Sequence, residues 1–498
     1  MKLWHRPVHL LVPVVLGLAA VTAPAVRAEL PPLISRSVLF DNPEKTQPQL
    51  SPDGKRLAWL APDKNNVLQV WVKTLGQNDD RIVTADKKRG IRRYAWAENN
   101  RQLLYLQDSD GDENFHLYGV DLTSNQTRDY TPQTGVRAEL VALDPAFPDT
   151  VLVSTNGRDR RLFDVYRLDL KTGTLTLDTK NPGDVADFFA DPKLVVRAAQ
   201  VATADGGSEI RIRDSATAPW KTWLKAPFGE ILNFVDFSVD GKSATIVSSL
   251  GSNTARVVLR TIAGNREKVL AARDDVDAGQ VLIQPKTHLV QAVSFSPERS
   301  TWKVVLPSVQ ADFERLARVY DGDFAVVGRD SADKTWLVSY TADRASTRYY
   351  SWNRAKKQAS LLLITRPKLE GLTLAKTDPI DFTTRDGLKV KGYLTLPPGI
   401  PARRLPTVLY VHGGPWARDR WGFDPTVQWL ANRGYAVLQV NFRGSTGYGK
   451  EFLNAGNKQW GLKMQEDLVD AVNWLAGTSI ADRKQVAIYG GSYGGYAT

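Results

Sequence analysis

From about Gln47 to Leu363 the chain reads as short β-like runs of apolar and β-branched residues, with turn formers between them. Short runs bounded by turn residues predict strands rather than helices. One aromatic or β-branched strand position recurs throughout. Trp71, Tyr118, Tyr166, Ile212, Val258, Trp302 and Tyr349 are separated by 47, 48, 46, 46, 44 and 47 residues. A period of about 45 residues is the length of a four-stranded propeller blade. Seven blades fit the span, with a β-sandwich array or a six- or eight-bladed ring as the alternatives. Ser51-Pro52-Asp53-Gly54-Lys55 and Ser238-Val239-Asp240-Gly241-Lys242 repeat one turn signal before a strand, and Trp96-Ala97-Glu98-Asn99-Asn100 stands before another. The fifth and sixth repeats lack the aromatic pair, so registers beyond Ile212 are less sharply marked.

Around Lys376 the pattern changes. Ile380 to Thr383 and Lys389 to Leu396 read as a hairpin turning at Arg385-Asp386-Gly387. Strand and helix then alternate, as an α/β sheet requires. Thr407–Val411 is a buried strand, Pro425–Asn432 a short helix and Tyr435–Phe442 another strand. A helix from Lys463 to Leu475 carries Met464, Leu468, Ala471, Val472 and Leu475 on one face, and Val486–Tyr489 is the last strand. The predicted fold is a β-propeller followed by an α/β-hydrolase domain that is incomplete in this chain. The expected divisions are 1–28, 29–46 as an N-terminal segment, 47–375 as the propeller and 376–498 as the N-terminal part of the hydrolase.

At 498 residues two or more domains are expected, and 42% hydrophobic with 24% charged residues describes a soluble globular protein. The first 28 residues differ. Lys2, His5 and Arg6 precede an apolar stretch from Val8 to Ala23, and Ala25-Val26-Arg27-Ala28 closes it. This reads as a secretory signal peptide cut before Glu29, which predicts an exported, periplasmic or extracellular protein. The alternative, a membrane anchor, is disfavoured because a span needs about 20 apolar residues, so no stable membrane insertion is expected after cleavage. Loss of Lys2, Arg6 and Arg27 lowers the formal charge from +11 to +8. The remaining excess is scattered in short runs such as Lys87-Lys88-Arg89, a solvated face rather than a nucleic-acid site. With no cysteine, a thiol nucleophile, Cys-based metal sites and disulfides are excluded. No cofactor is expected.

The chemistry is concentrated at Gly490-Gly491-Ser492-Tyr493-Gly494, a G-x-S-x-G elbow directly after a strand. A sharp strand-to-helix turn lifts a serine hydroxyl clear of the sheet, and glycine at both flanks removes Cβ atoms that would clash. Ser492 is the candidate nucleophile. Its oxyanion donors are the backbone N–H of Tyr493 and the loop His412-Gly413-Gly414, which also follows a strand. His412 is read as an oxyanion-side residue of that loop rather than as the base. All five histidines, His5, His9, His116, His288 and His412, precede Ser492, whereas this architecture runs Ser, then acid, then His; His116 and His288 are read as packed or solvated residues of propeller strands. The expectation is therefore a fragment that ends before its acid and base and is inactive as it stands. Asn441 to Gly449 is a Gly-rich loop shaping the pocket. Asp108, Asp110, Asp112 and Glu113 are read as turn residues, with capture of a positive substrate end as the alternative.

Taken together, Tyr410-Val411-His412-Gly413-Gly414-Pro415, Asn441 to Gly449 and Tyr489 to Tyr496 resemble the prolyl oligopeptidase family of serine peptidases, on its acylaminoacyl-peptidase and dipeptidyl-peptidase-like branch. The resemblance implies a propeller that caps the hydrolase, so that only short peptides reach Ser492, and a second oxyanion donor on the His412 to Gly414 loop. Related members use a tyrosine hydroxyl there, which leaves the donor atom open. Short peptides are the expected partners, and the oligomeric state is left open. A serine esterase or amidase, and a non-catalytic propeller binding protein, are the competing readings.

Overall fold

The computed structural model describes residues 29–498, so the expected signal segment 1–28 lies outside the described residues. Seven small antiparallel sheets span Thr46 to Ile364. Six have four strands and one has three. Every recurring position, from Trp71 to Tyr349, falls on the third strand of its blade. The repeated turn signals form one structure: Asp53 Oδ1 accepts from Ser51 Oγ at 2.6 Å and Lys55 N at 3.0 Å, and Asp240 does the same with Ser238 and Lys242.

The sixth blade departs from the four-stranded expectation. Its sheet stops at Val304, and Gln310–Leu316 is a helix where only β-like runs were read. Val309, Phe313 and Leu316 recur at helical spacing and bury against Trp336 and Val338 of the seventh blade. Helical packing therefore covers the blade face that a fourth strand would cover elsewhere. His288, expected in a strand, lies instead in the turn between Ile283 and Val290 at φ +55°.

Among the described residues, seven apolar clusters join neighbouring blades. Leu50, Leu57, Trp59 and Ala61 pack with Leu337 and Leu363, which closes the first blade on the seventh. Middle strands are thus covered on both faces, which is why Val290–Phe295 is buried at every position.

The second region is one mixed sheet of five strands: β1 Thr377–Thr383, β2 Lys389–Thr395, β3 Leu405–Val411, β4 Ala436–Asn441 and β5 Ala481–Gly490, in the order β1-β2-β4-β3-β5. β3 pairs in parallel with both β4 and β5. Helix α1, Pro425–Ala431, begins at Asp424, whose side chain caps Val427 N at 2.9 Å, with proline in the first turn. After the short helix α2, Lys450–Asn454, helix α3, Lys463–Gly477, buries Met464, Leu468, Ala471 and Leu475 against β4 and β5. Helix α4 is Tyr493–Ala497.

The ring contacts the hydrolase region through loops on one face. Glu230 pairs with Lys450 at 2.6 Å, Arg418 Nη1 donates to Ser296 O at 3.0 Å, and Tyr393 Oη donates to Glu298 O at 2.6 Å. The N-terminal segment joins the hydrolase side too. Ile34 N donates to Asn432 Oδ1 at 2.7 Å, and Ile34 and Leu39 pack near Phe423 and Trp429. No described helix is long and apolar enough to cross a membrane.

Candidate active site

The register of β3 and β5 brings the two Gly-rich motifs together. Val411, the last residue of β3, pairs with Gly490, the last of β5. The chain after each strand therefore emerges at the same C-terminal edge of the sheet, where open α/β sheets gather ligands.

Ser492 stands between β5 and α4 at φ +55°, ψ −120°, and its side chain is exposed. A non-glycine residue in this backbone region is strained, and the surroundings hold it there. The neighbouring glycines are not equivalent. A Cβ at Gly490 would lie 2.6 Å from Gly494 C, and one at Gly494 would lie 2.2 Å from Val411 O. One at Gly491 would meet nothing within 4 Å, and one at Gly495 only Gly490 O at 3.7 Å. Only the two glycines flanking the serine at a distance of two residues are sterically required.

The loop after β3 lies directly against the elbow. A Cβ at Gly413 would be 3.3 Å from Ser492 Cβ and 3.9 Å from Oγ. The backbone N–H groups of Tyr493 and Gly414 have no intramolecular acceptor among the described residues. All five sequence-predicted site residues, Ser492, Tyr493, His412, Gly413 and Gly414, thus converge on one spot. The Tyr493 side chain is buried among Phe442, Trp460 and Tyr496, and burial pushes its phenol up to about 12.

His412 is committed elsewhere than to Ser492. Nδ1 lies 2.8 Å from Gly413 O, and a carbonyl oxygen only accepts, so Nδ1 carries the proton. Nε2 lies 2.9 Å from Ser445 Oγ. Phe442 stacks on the ring at 4.5 Å with planes 13° apart. Burial holds the imidazole below its ordinary value. His116 and His288 lie in the ring, paired with Asp129 and Asp236 at 2.8 Å each.

The Asn441 to Gly449 loop is anchored by a buried ion network. Arg443 grips Asp467 through Nε to Oδ2 at 2.8 Å and Nη2 to Oδ1 at 2.6 Å, and Asp386 through Nη1 and Nη2 at 2.9 Å each. Asp467 is fully buried, and burial pushes its carboxyl up. Asp386, at the wetter end of the same guanidinium, is held well below the usual carboxylate range by Arg443. Sequence reading missed Asp467. Its signal is a carboxylate on the apolar stripe of α3, three residues after Met464 and four before Ala471.

On the propeller side of this loop, Tyr448 Oη accepts from Asn441 Nδ2 at 2.8 Å and Arg418 Nη2 at 2.6 Å. Asn441 Oδ1 accepts from Asp419 N at 2.7 Å. The Asp419 carboxyl has a buried Oδ2 without a partner, and burial, with Asp424 nearby, pushes it up to about 7. The acidic turn of the second blade is occupied by its own chain. Asp112 Oδ1 accepts from Ser109 N and Asn114 N, and Asp110 pairs with Lys88 at 2.9 Å. Among the described residues no cluster of acids and histidines could hold a metal ion.

A serine raised on an elbow at the rim of a mixed parallel sheet, under a seven-bladed ring, is the arrangement of a propeller-capped α/β-hydrolase. A profile of the prolyl oligopeptidase family matches residues 421–498. The chain is 43% identical over 476 residues to dipeptidyl aminopeptidase BIII of Pseudoxanthomonas mexicana, covering 94% of this chain and 69% of that protein. It is 32% identical over 504 residues to dipeptidyl peptidase family member 6 of Caenorhabditis elegans, covering 94% of this chain and 68% of that one. A puromycin-hydrolysing peptidase of Mycobacterium tuberculosis superposes with a TM-score of 0.69 at 18% identity, over 95% of this chain and 77% of the other. A prolyl endopeptidase does so with a TM-score of 0.71 at 14% identity, over 93% and 72%. These structural likenesses show the fold. The chain belongs to the prolyl oligopeptidase family of serine peptidases.

Proposed function

We propose that the protein is an exported serine peptidase that removes dipeptides from the N-termini of short peptides through an acyl-enzyme on Ser492. The observation that carries this reading is the strained, exposed Ser492 standing against Gly413, with two free backbone N–H groups beside it. Oγ attacks the scissile carbonyl, its proton passes to a base, and the carbonyl oxygen becomes an oxyanion received by the N–H of Tyr493 and the Gly413-Gly414 loop. The amine leaves with that proton, and water then hydrolyses the ester by the same route. His412 is engaged at both nitrogens and His116 and His288 are paired inside the ring, so we assign the base to an imidazole outside residues 29–498. The order of this architecture places that imidazole and its carboxylate after Ser492. Residues 29–498 alone are then expected to be inert. Dipeptide release is supported by the names of the two relatives matched over 94% of the chain. Export is supported by the charged and apolar pattern of residues 1–28.

A fluorophosphonate probe on the full-length protein tests the nucleophile: labelling at Ser492, absent in Ser492→Ala, is expected, and an unlabelled serine rejects the assignment. Dipeptidyl anilides are expected to be cleaved and acyl esters to be poorer substrates. Efficient turnover of esters alone would point to an esterase instead.

A further inference from the structure

The orientation of a single peptide unit decides whether the loop after β3 can present an N–H to an oxyanion. The Gly413–Gly414 peptide is trans and planar, so its C=O and N–H point in opposite directions. Glycine flanks it on both sides, with Gly414 at φ +126°, and a Cβ at Gly414 would strike Trp416 N at 2.7 Å. Glycine is required there, and it also leaves the unit free to flip. What holds it must come from outside the loop backbone.

The restraint is a chain of two hydrogen bonds. His412 Nδ1–H donates to Gly413 O, and Ser445 Oγ–H donates to His412 Nε2. Stacking on Phe442 fixes the plane of the ring but is indifferent to which nitrogen carries the proton. The acceptor-only Gly413 carbonyl calls for the hydrogen on Nδ1, and the Ser445 hydroxyl supports that tautomer by turning its own hydrogen to the Nε2 lone pair. Were the hydrogen on Nε2, the Nδ1 lone pair would face the Gly413 oxygen and push the peptide over. Ser445 is itself immobile: it is fully buried, and its N–H donates to Phe442 O at 3.0 Å. Its hydroxyl has no other partner among the described residues.

We propose that Ser445, acting through His412, is a positioning residue that holds the Gly413–Gly414 peptide with its N–H turned toward the oxyanion of the reaction. This rests on the reading of Ser492 as nucleophile. It places a requirement for the peptidase on a residue 47 positions before the elbow, hydrogen-bonded to His412 rather than to Ser492.

The test uses the full-length protein and a dipeptidyl anilide, with active sites counted by fluorophosphonate titration. Ser445→Ala is expected to lower kcat per active site by about 10- to 100-fold, below the full cost of deleting an oxyanion donor, with KM within about twofold. An unchanged kcat overturns the proposal, as does a loss accounted for entirely by a lower active-site titre, or a rise in KM alone. His412→Phe keeps the stack but breaks the chain of hydrogen bonds, which secures the test if Ser445→Ala does not fold. It is expected to show a kcat loss of the same kind, and adding Ser445→Ala should cost nothing more. Additive losses would mean that Ser445 does not work through His412. Absence of labelling in the unaltered protein would remove the nucleophile first and this proposal with it.

Discussion

Every blade of the ring is built from strands adjacent in the chain and buries its faces mainly against the two blades beside it. In the hydrolase sheet, β3 finds both partners across helical crossovers, and its last residue touches the elbow that follows β5. Ring contacts repeat seven times, so a lesion in one blade stays largely with its neighbours. Sheet contacts converge on a single edge, so a lesion there is felt by the strands and the site together. Buried charge occurs in both regions and is put to different use. The ring pairs buried Asp164 with Arg158 and buried Asp312 with Arg354 and Lys357 within its own blades, whereas the hydrolase region buries Arg443 between Asp467 and Asp386 to anchor a site loop.

The largest effect separating the two regions is expected from Gly494→Ala. Its Cβ would fall 2.2 Å from Val411 O, and backbone cannot yield as a side chain does, so the substitution should cost about 3 kcal/mol or more. The unfolding phase of the hydrolase region should shift while that of the ring stays in place, as read by differential scanning calorimetry. Gly491→Ala, with open space at its Cβ, should change stability by less than about 0.5 kcal/mol. Equal effects from the two would break the steric account of the elbow.

Asp467→Asn comes next. It removes the fully buried carboxylate from a buried guanidinium, and breaking such a pair typically costs about 3–5 kcal/mol; retention of Asp386 should bring the loss to the lower end. Urea unfolding of the hydrolase region would measure it, with turnover falling as the Asn441 to Gly449 loop loosens.

Asp419 gives a smaller effect with a pH signature. Its folded value is raised to about 7, while an unfolded aspartate titrates near about 3.9. Below the lower value both states hold the proton and nothing is lost. Between the two values the unfolded chain releases its proton and the folded one keeps it, so stability falls as pH rises, then levels off above pH 7. Asp419→Asn removes that slope and should raise stability at pH 8 by on the order of 1 kcal/mol, with less gain at pH 5. Urea midpoints at the two pH values check this, and an equal gain at both would contradict the raised carboxyl.

The smallest effect belongs to the ring. Asp110 and Lys88 are both well exposed, so Asp110→Asn should alter stability by less than about 0.5 kcal/mol and leave KM unchanged. A raised KM would show that the acidic turn reads a positive substrate end after all.

Most of the architecture was legible in the chain. The recurring positions fell on seven third strands because a blade's length is set by four strands and their turns, which is a local quantity. The sixth blade was misread because a helix can cover the same neighbour as a strand, and that substitution shows only in the spacing of Val309, Phe313 and Leu316. The elbow was legible because Gly490 and Gly494 answer to contacts within a few residues or with the adjacent strand. Asp467 and Ser445 were not. Their partners, Arg443 and His412, are 24 and 33 residues away, and nothing in those intervals fixes the distance in space.

The amino-acid sequence by itself determined the periods, the turns and the bend that raises Ser492, since each follows from sterics and burial over a few residues. Only the tertiary structure decided which strands lie side by side, and with that the convergence of His412, Gly413, Gly414, Tyr493 and Ser492. Strand order depends on how crossovers pack across the whole sheet, and a parallel pair carries no record of its partner in its own residues.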